Sequence, residues 1–442
     1  MRIATLQIAP KLGDVEGNIR RANELLKKGK SISLGGQDLG IGIGAELLRP
    51  EILVLPEMAL TESDEGFKIA LGTIHYLSDI NRVYPGYNFP SLEAVRPFLE
   101  PVGKGPSAAW ARETAQRLQC KVCMGYPEIE TNASTEETKF YNSLVIVDET
   151  GEVIHNYRKS FLYFTDESWA SEGDVERGFR ELTFPSRQGN DNENGMTTAS
   201  TIAGDANASD TPRHAAEKRV ATSFGICMDI NPYKFEAPYT AWEFANRVLD
   251  SKSQLVILSM AWLTLLSREE LDALEGQPEM DTFNYWLQRF WPLIEKKMQH
   301  AENVDRPDAE GDRGDTDLDS ESESDSDSDS DTAGTKAARK DDKQVVIVFA
   351  NRAGEEPAAD DVKPPARYAG TSAVIAVTQR PREGGLNGSG AGAVEAIDEG
   401  RDFDVKILCW DLLGASEEGI CFADTTADPK MVFGLRSKSR EV

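Results

Sequence analysis

The chain has 442 residues, 40% of them hydrophobic, and a formal net charge of −27. That length and apolar content allow a sizeable core, which excludes disorder throughout. The negative balance excludes nucleic acid and anionic membranes as natural partners, because phosphates repel such a chain. Five cysteines (Cys120, Cys123, Cys227, Cys409 and Cys421) make an odd set, and the opening MRIATLQIAP has no apolar signal core. No window reaches 18 apolar residues, so free thiols in a soluble, cytoplasmic setting are expected.

Short apolar, β-branched runs at 2–9, 51–57, 121–126, 142–148, 153–158, 219–227, 254–262, 344–351, 372–377 and 406–412 read as strands. Helical spacing is predicted over 15–28, with Ile19, Ala22, Leu25 and Leu26 on one face, and over 107–118, with Ala108, Ala111, Ala115 and Leu118. Further helices are expected over 239–249 and 280–298, and Asp148–Val153 reads as a hairpin turn. Strands alternating with helices argue an α/β class, and the strands are too many for one simple parallel sheet. Two packed sheets with helices outside are expected, in a single domain over 1–442. Four segments read as disordered inserts: Gly-rich stretches at about 30–46 and 380–400, a polar stretch at 186–218, and an acidic one at 302–343. Within the last, Glu302–Asp331 carries 14 acidic and two basic residues and includes SESESDSDSDSD, which repels itself and has nothing to bury.

The chemistry centres on Cys227, at the end of SFGICMDINPYKFEAP. A thiol that attacks a carbonyl carbon needs a base, a stabiliser for the oxyanion and a fixed position. None of the four histidines, His75, His155, His214 and His300, sits in a motif that supplies the base. Glu57, at the end of the run EILVLPE between Leu55 and Met58, offers a carboxylate in an apolar setting. Lys159, at the end of VIHNYRK, offers an ammonium for an oxyanion. A Glu or Lys at a strand end is ordinarily a solvated tip; the argument rests on three ends in the order Glu, Lys, Cys. The CxxC spacing of Cys120 and Cys123 has no second pair, so core packing is expected there rather than zinc.

Those residues carry a resemblance. Leu55-Pro56-Glu57, Tyr157-Arg158-Lys159 and Cys227-Met228-Asp229 stand in the order and spacing of the nitrilase superfamily of carbon–nitrogen hydrolases. RIATLQIAPKLGDVEGNI resembles that family's opening strand and helix start. Asn351–Glu355 and Gly370–Ser372 resemble its late NR-x-G-x-E and G-x-S segments. The likeness runs to about residue 412 apart from the inserts. It implies a four-layer α-β-β-α sandwich. The run CMDINPYKFEAP, with Asn231 where arginine is frequent, and KSFLYFTDESWASEG resemble a fungal branch of the family. Its members deamidate N-terminal Asn and Gln of proteins, feeding degradation that reads the N-terminal residue.

The resemblance implies Cys227 as nucleophile, Glu57 as general base and Lys159 as oxyanion holder, helped by the backbone N–H of Met228. A second glutamate is expected at Glu167, with Glu172 as rival. No metal and no cofactor are implied. A substrate α-ammonium calls for an acid, for which Asp229 and Asp166 are candidates. Asp229 can equally be a turn former. Trp262 is expected to wall the pocket or to pack in the core. The expected partner is the N-terminal Asn or Gln of a polypeptide. The alternatives are a small-molecule amidase or N-carbamoyl hydrolase of the same family, and a non-enzymatic scaffold whose acidic insert binds a basic partner. Asn versus Gln preference stays open at this stage, as does the choice between monomer and homodimer.

Overall fold

The computed structural model describes residues 1–11, 14–34, 37–60, 89, 91–185, 217–296, 298, 343–356, 365–379, 403–409, 413–429 and 431–434. The chain starts with β1 (Arg2–Gln7), then α1 (Val15–Lys28), whose first turn is capped by the Asp14 carboxylate accepting from the Gly17 N–H at 2.7 Å. β2 (Lys30–Leu34), β3 (Gln37–Ile43), α2 (Ala45–Leu48) and β4 (Ile52–Val54) follow. After α3 (Leu92–Val95), α4 (Pro106–Leu118) leads into the meander β5 (Lys121–Thr131), β6 (Thr138–Val147) and β7 (Val153–Arg158). The second half contributes β8 (Phe179–Pro185), β9 (Glu217–Ile226), α5 (Glu243–Asp250), β10 (Leu255–Met260) and α6 (Arg268–Ala273). It continues with α7 (Met280–Arg289), α8 (Trp291–Glu295), β11 (Lys343–Asn351), β12 (Glu355–Glu356) and β13 (Ala366–Arg367). β14 (Ala373–Gln379), β15 (Phe403–Cys409), β16 (Gly419–Asp424) and β17 (Met431–Gly434) close the chain.

Two large sheets result, ordered β16-β1-β4-β5-β6-β7 and β17-β15-β14-β11-β10-β9-β8. Each has a parallel centre, β1-β4-β5 in the first and β9-β10-β11 in the second, flanked by antiparallel strands. Strands covered on both faces read as unbroken apolar runs, because odd and even positions are both buried. In β4, Ile52 and Val54 face the other sheet while Leu53 faces α1 and α4. In β10, Leu255 and Ile257 face the first sheet while Val256 and Leu258 face α5, α7 and α8. The outcome is the four-layer α-β-β-α sandwich. Cys120 and Cys123 are buried on opposite faces of the first sheet, where both thiols act as small core side chains. Burial, and the nearby Glu149 after it, pushes the Cys120 thiol up to about 12.

Three expectations need correction. Residues 30–46, read as a disordered insert, carry the antiparallel pair β2–β3 and the start of α2. The glycines hide a period-2 pattern in Ile32, Leu34, Leu39, Ile41 and Ile43. The helix expected over 280–298 breaks at Phe290, with Pro292 at the start of the second piece. The helix expected from Tyr239 begins at Glu243, after a single 3₁₀ turn. The expected inserts at 186–218, 302–343 and 380–400 lie almost wholly outside the described residues; only their edges, from Glu217 and at Lys343, join strands.

Ile257 sits fully buried at the middle of the inter-sheet core. Ile257→Ala is expected to cost about 2–5 kcal/mol, and Asp14→Ala about 1 kcal/mol through the lost cap. Urea unfolding followed by circular dichroism measures both; a parental midpoint for Ile257→Ala would contradict the packing.

Candidate active site

The carboxyl ends of the parallel strands meet at one end of the sandwich, where open α/β sheets hold their ligands. β4 runs out into Leu55-Pro56-Glu57. This turn bridges the sheets: the Ser259 hydroxyl donates to the Leu55 carbonyl at 2.9 Å, and the Glu57 N–H donates to the Met260 carbonyl at 3.3 Å. Gly125 of β5 makes room for it, since a Cβ there would lie 2.9 Å from both Glu57 Cα and Met58 N. β7 runs out into Lys159, whose N–H donates to the Asn142 carbonyl and whose carbonyl accepts from the Gly173 N–H, both at 2.8 Å. Gly173 is tight against this turn, with any Cβ 2.2 Å from the Arg158 carbonyl oxygen. β9 runs out into Cys227, which takes the left-handed conformation (φ 40°) and opens a 3₁₀ turn, Cys227–Ile230. Non-glycine residues in that region are strained, which persists where the surroundings dictate the geometry.

Glu57 and Lys159 meet directly. Lys159 Nζ donates to Glu57 Oε1 at 2.8 Å and to Asp166 Oδ2 at 2.5 Å. Asn142 Nδ2 donates to the same two carboxylates, to Glu57 Oε1 at 2.6 Å and Asp166 Oδ1 at 3.3 Å. Glu57, Lys159, Asp166 and Asn142 are all buried. An isolated charge so placed would be strongly disfavoured, so one cation between two carboxylates is what makes the burial tolerable. Burial alone would lower the Lys159 pKa, yet Asp166, Glu57 and Cys227 together hold it above its ordinary value. Burial raises the Asp166 carboxyl, with Lys159 opposing and Glu57 reinforcing. Among the described residues, Glu57 Oε2 has no hydrogen-bond partner, which leaves one oxygen of the carboxylate available to a proton.

Cys227 lies in the field of this cluster. The residue is partly exposed, but its surroundings are dense enough that burial is the largest influence on the thiol, pushing it well above its ordinary value. Glu57 adds to the rise; Lys159 and a hydrogen bond from the Ala261 backbone, just past β10, oppose it. Together these influences favour the protonated thiol over the thiolate, within the field of the Glu57 carboxylate.

The remaining expected site residues fall differently. Glu167 is exposed, and so is Glu172, which accepts from the Tyr233 hydroxyl at 2.8 Å. The second carboxylate on Lys159 is that of Asp166, one position before Glu167. The 3₁₀ turn Asp166–Ser168 aims it inward, with the Tyr163 N–H donating to it at 3.1 Å. Asp229 is sealed and has no lone pair directed at a substrate. Its Oδ1 accepts from the Ser160 and Phe161 N–H groups at 3.0 and 2.8 Å, and its Oδ2 from the Ile226 N–H and the Tyr157 hydroxyl at 2.7 and 2.8 Å. It ties the Lys159 turn to the Cys227 turn. Met228 is buried in the first turn after the thiol, where backbone N–H groups lack intrahelical acceptors. Trp262 is half-buried and packs edge-on against Trp286 at 5.9 Å and tilted against Tyr285 at 5.5 Å, in the helix layer. Asn142 and Ala261 were not singled out from the sequence; an amide in mid-strand and a backbone N–H leave no compositional signal.

A model of the carbon-nitrogen hydrolase family matches residues 2–229, just over half of the chain. The chain is 29% identical over 267 residues to the protein N-terminal amidase of Saccharomyces cerevisiae, covering 60% of this chain and 46% of that protein. It is also 29% identical over 308 residues to the protein N-terminal amidase of Schizosaccharomyces pombe, covering 66% of this chain and 80% of that one. It thus spans about half the length of the first relative. Among solved structures, that of an N-terminal amidase shares the fold with a TM-score of 0.54 at 20% identity, covering 99% of each chain. One of an N-terminal amidase with a Gln-Gly peptide gives 0.55 at 19% identity and 96% of each chain. With the family's matched span ending at Asp229, past all three strand ends of the site, this chain belongs to the carbon-nitrogen hydrolase family.

Proposed function

We propose that this chain is a protein N-terminal amidase, acting in the cytoplasm on the side-chain amide of N-terminal Asn and Gln to give Asp and Glu with release of ammonia. The observation that carries the reading is the buried Lys159 held by Glu57 and Asp166 beside the Cys227 thiol, in a chain whose relatives bear that name. Glu57 takes the thiol proton as sulfur adds to the amide carbon. The oxyanion accepts from Lys159 Nζ and the Met228 backbone N–H. Glu57 returns the proton to the leaving nitrogen, the C–N bond breaks, and ammonia departs from a thioester on Cys227. Water then adds to the thioester with Glu57 as its base, and collapse frees the acid and restores the thiol. Asp166 and Asn142 keep Lys159 and Glu57 in place throughout.

The cluster of Glu57, Asp166 and Lys159 carries one more negative than positive charge. This favours a substrate with a cation close to its amide, as an N-terminal residue has in its α-ammonium. Asp229 does not serve that cation, since both of its oxygens are engaged. An acidic product at the chain terminus suits a degradation system that reads the N-terminal residue.

Peptides beginning with Asn or Gln are expected to release ammonia, and N-acetylated forms at least about tenfold less, a loss of about 1.4 kcal/mol. Equal release from acetylated peptides would defeat the α-ammonium argument and favour a small-molecule amidase. Glu57→Gln should lower kcat by about 10²–10⁴-fold. Because Glu57 raises the Cys227 thiol and Lys159 lowers it, the alkylation midpoint of Cys227 should move to lower pH in Glu57→Gln and to higher pH in Lys159→Met. Shifts of the opposite sign would refute the charge assignment. Asp229→Asn should destabilise the protein by about 2–3 kcal/mol, since an amide nitrogen would face N–H donors, and should lower kcat by disturbing two turns at once. Thermal melting and steady-state kinetics check this; an unperturbed kcat would remove Asp229 from any positioning role.

A further inference from the structure

Five aromatic side chains are grouped beside the site on the two loops that leave it. Phe161, Tyr163 and Phe164 follow Lys159 closely; Tyr233 and Phe235 lie in the turn after the nucleophile. Phe164 and Phe235 stand 5.5 Å apart, Tyr163 is 5.3 Å from Phe164 and 6.4 Å from Phe235, and Phe161 is 5.0 Å from Tyr233. Three of these rings stay open to water: Phe164 is 42% exposed, Phe235 46% and Tyr233 36%. Contiguous exposed rings of this kind are unfavourable for a soluble surface and mark places where something docks.

The backbone holds the ledge deliberately. Lys234 and Phe235 both adopt left-handed φ values, 53° and 54°, a conformation that costs roughly 1–2 kcal/mol per non-glycine residue. The ledge is also continuous with the site. The Phe161 N–H donates to Asp229, and the Tyr163 N–H donates to Asp166. Tyr163 packs in the small apolar cluster of Met58 and Ala261, the neighbours of Glu57 and of the Cys227 sulfur.

We infer that this aromatic ledge receives the side chain of the second residue of the substrate polypeptide, and that it favours a large apolar or aromatic side chain there. The inference rests on the N-terminal amidase reading. In that reading, only the first residue enters the buried site and the chain beyond it must leave across the loops bearing these rings. Its occupant is apolar because the ledge offers ring faces and edges, and the polar groups at its Phe161–Tyr233 end are already engaged. The Arg247 guanidinium lies 5.2 Å over the Phe161 ring, the Lys234 ammonium 5.4 Å over the Tyr233 ring, Glu243 accepts from the Tyr233 N–H, and the Tyr233 hydroxyl donates to Glu172.

The test compares ammonia release from Gln-Gly, Gln-Leu and Gln-Phe peptides of equal length by the full chain and by Phe164→Ala/Phe235→Ala. The parent is expected to prefer Leu or Phe over Gly at least tenfold in kcat/KM, through KM. The double alanine variant should bring that ratio to within twofold of one, whereas Phe164→Leu/Phe235→Leu should keep most of it. A parental ratio near one, or a ratio unchanged in the alanine variant, would overturn the ledge while leaving the amidase reading intact. No ammonia from any of the peptides would overturn the amidase reading itself, and the ledge with it. Sedimentation showing a dimer that dissociates in the alanine variant would reassign the rings to a contact between two copies of this chain.

Discussion

A lysine sealed from water is the constraint on which the site depends. Lys159 stays charged because two carboxylates, Glu57 and Asp166, approach it at hydrogen-bond distance, and Asn142 fills the gap between them. Removing a partner from such a group leaves an uncompensated buried charge, which costs far more than a surface pair returns. The turn after β4 and the loop after β7 are therefore coupled electrostatically within the first sheet. The turn after β9, from the second sheet, is joined to them through the Asp229 carboxylate.

Asp229 gives that coupling a rigid frame. One buried carboxylate receives four donors, two from the backbone just past Lys159, one from the backbone before Cys227 and one from Tyr157. Burial raises its pKa while these bonds oppose the rise. The strained φ of Cys227 and the position of the Lys159 turn share this single anchor. Preorganisation of the kind that oxyanion stabilisation requires is built from fixed backbone and buried charge, with little left to side-chain freedom.

Much of this was legible in the residues. Apolar runs ending in Glu57, Lys159 and Cys227 point to strand ends, and strand ends of a doubly covered sheet are where polar groups can converge. The motif order carried the fold class, and α1 matches its expected span, Val15–Lys28, because an Asp cap and a 3.6-residue stripe act locally. What stayed hidden depended on direction rather than on identity. Asp166 and Glu167 are adjacent carboxylates, and only the 3₁₀ turn that follows Thr165 decides which one points at Lys159. Asp229 reads equally well as a turn former or as a substrate acid until its four donors are seen. The β2–β3 pair was hidden although its two strands are neighbours in the chain, because glycine is depleted in strands and interrupts their apolar alternation.

By itself, then, the sequence determined the α/β layering and the place of Glu57, Lys159 and Cys227 at the ends of strands, which follow from periodicity acting over a few residues. Their selection as one set came from the resemblance of the three motifs to the carbon–nitrogen hydrolases. Tertiary structure alone decided which second carboxylate reaches Lys159, that Asp229 is a brace, and that aromatic residues some seventy positions apart in the chain form one exposed ledge. Those outcomes depend on how separate loops are aimed once two sheets have packed. No spacing along a single segment encodes that aim.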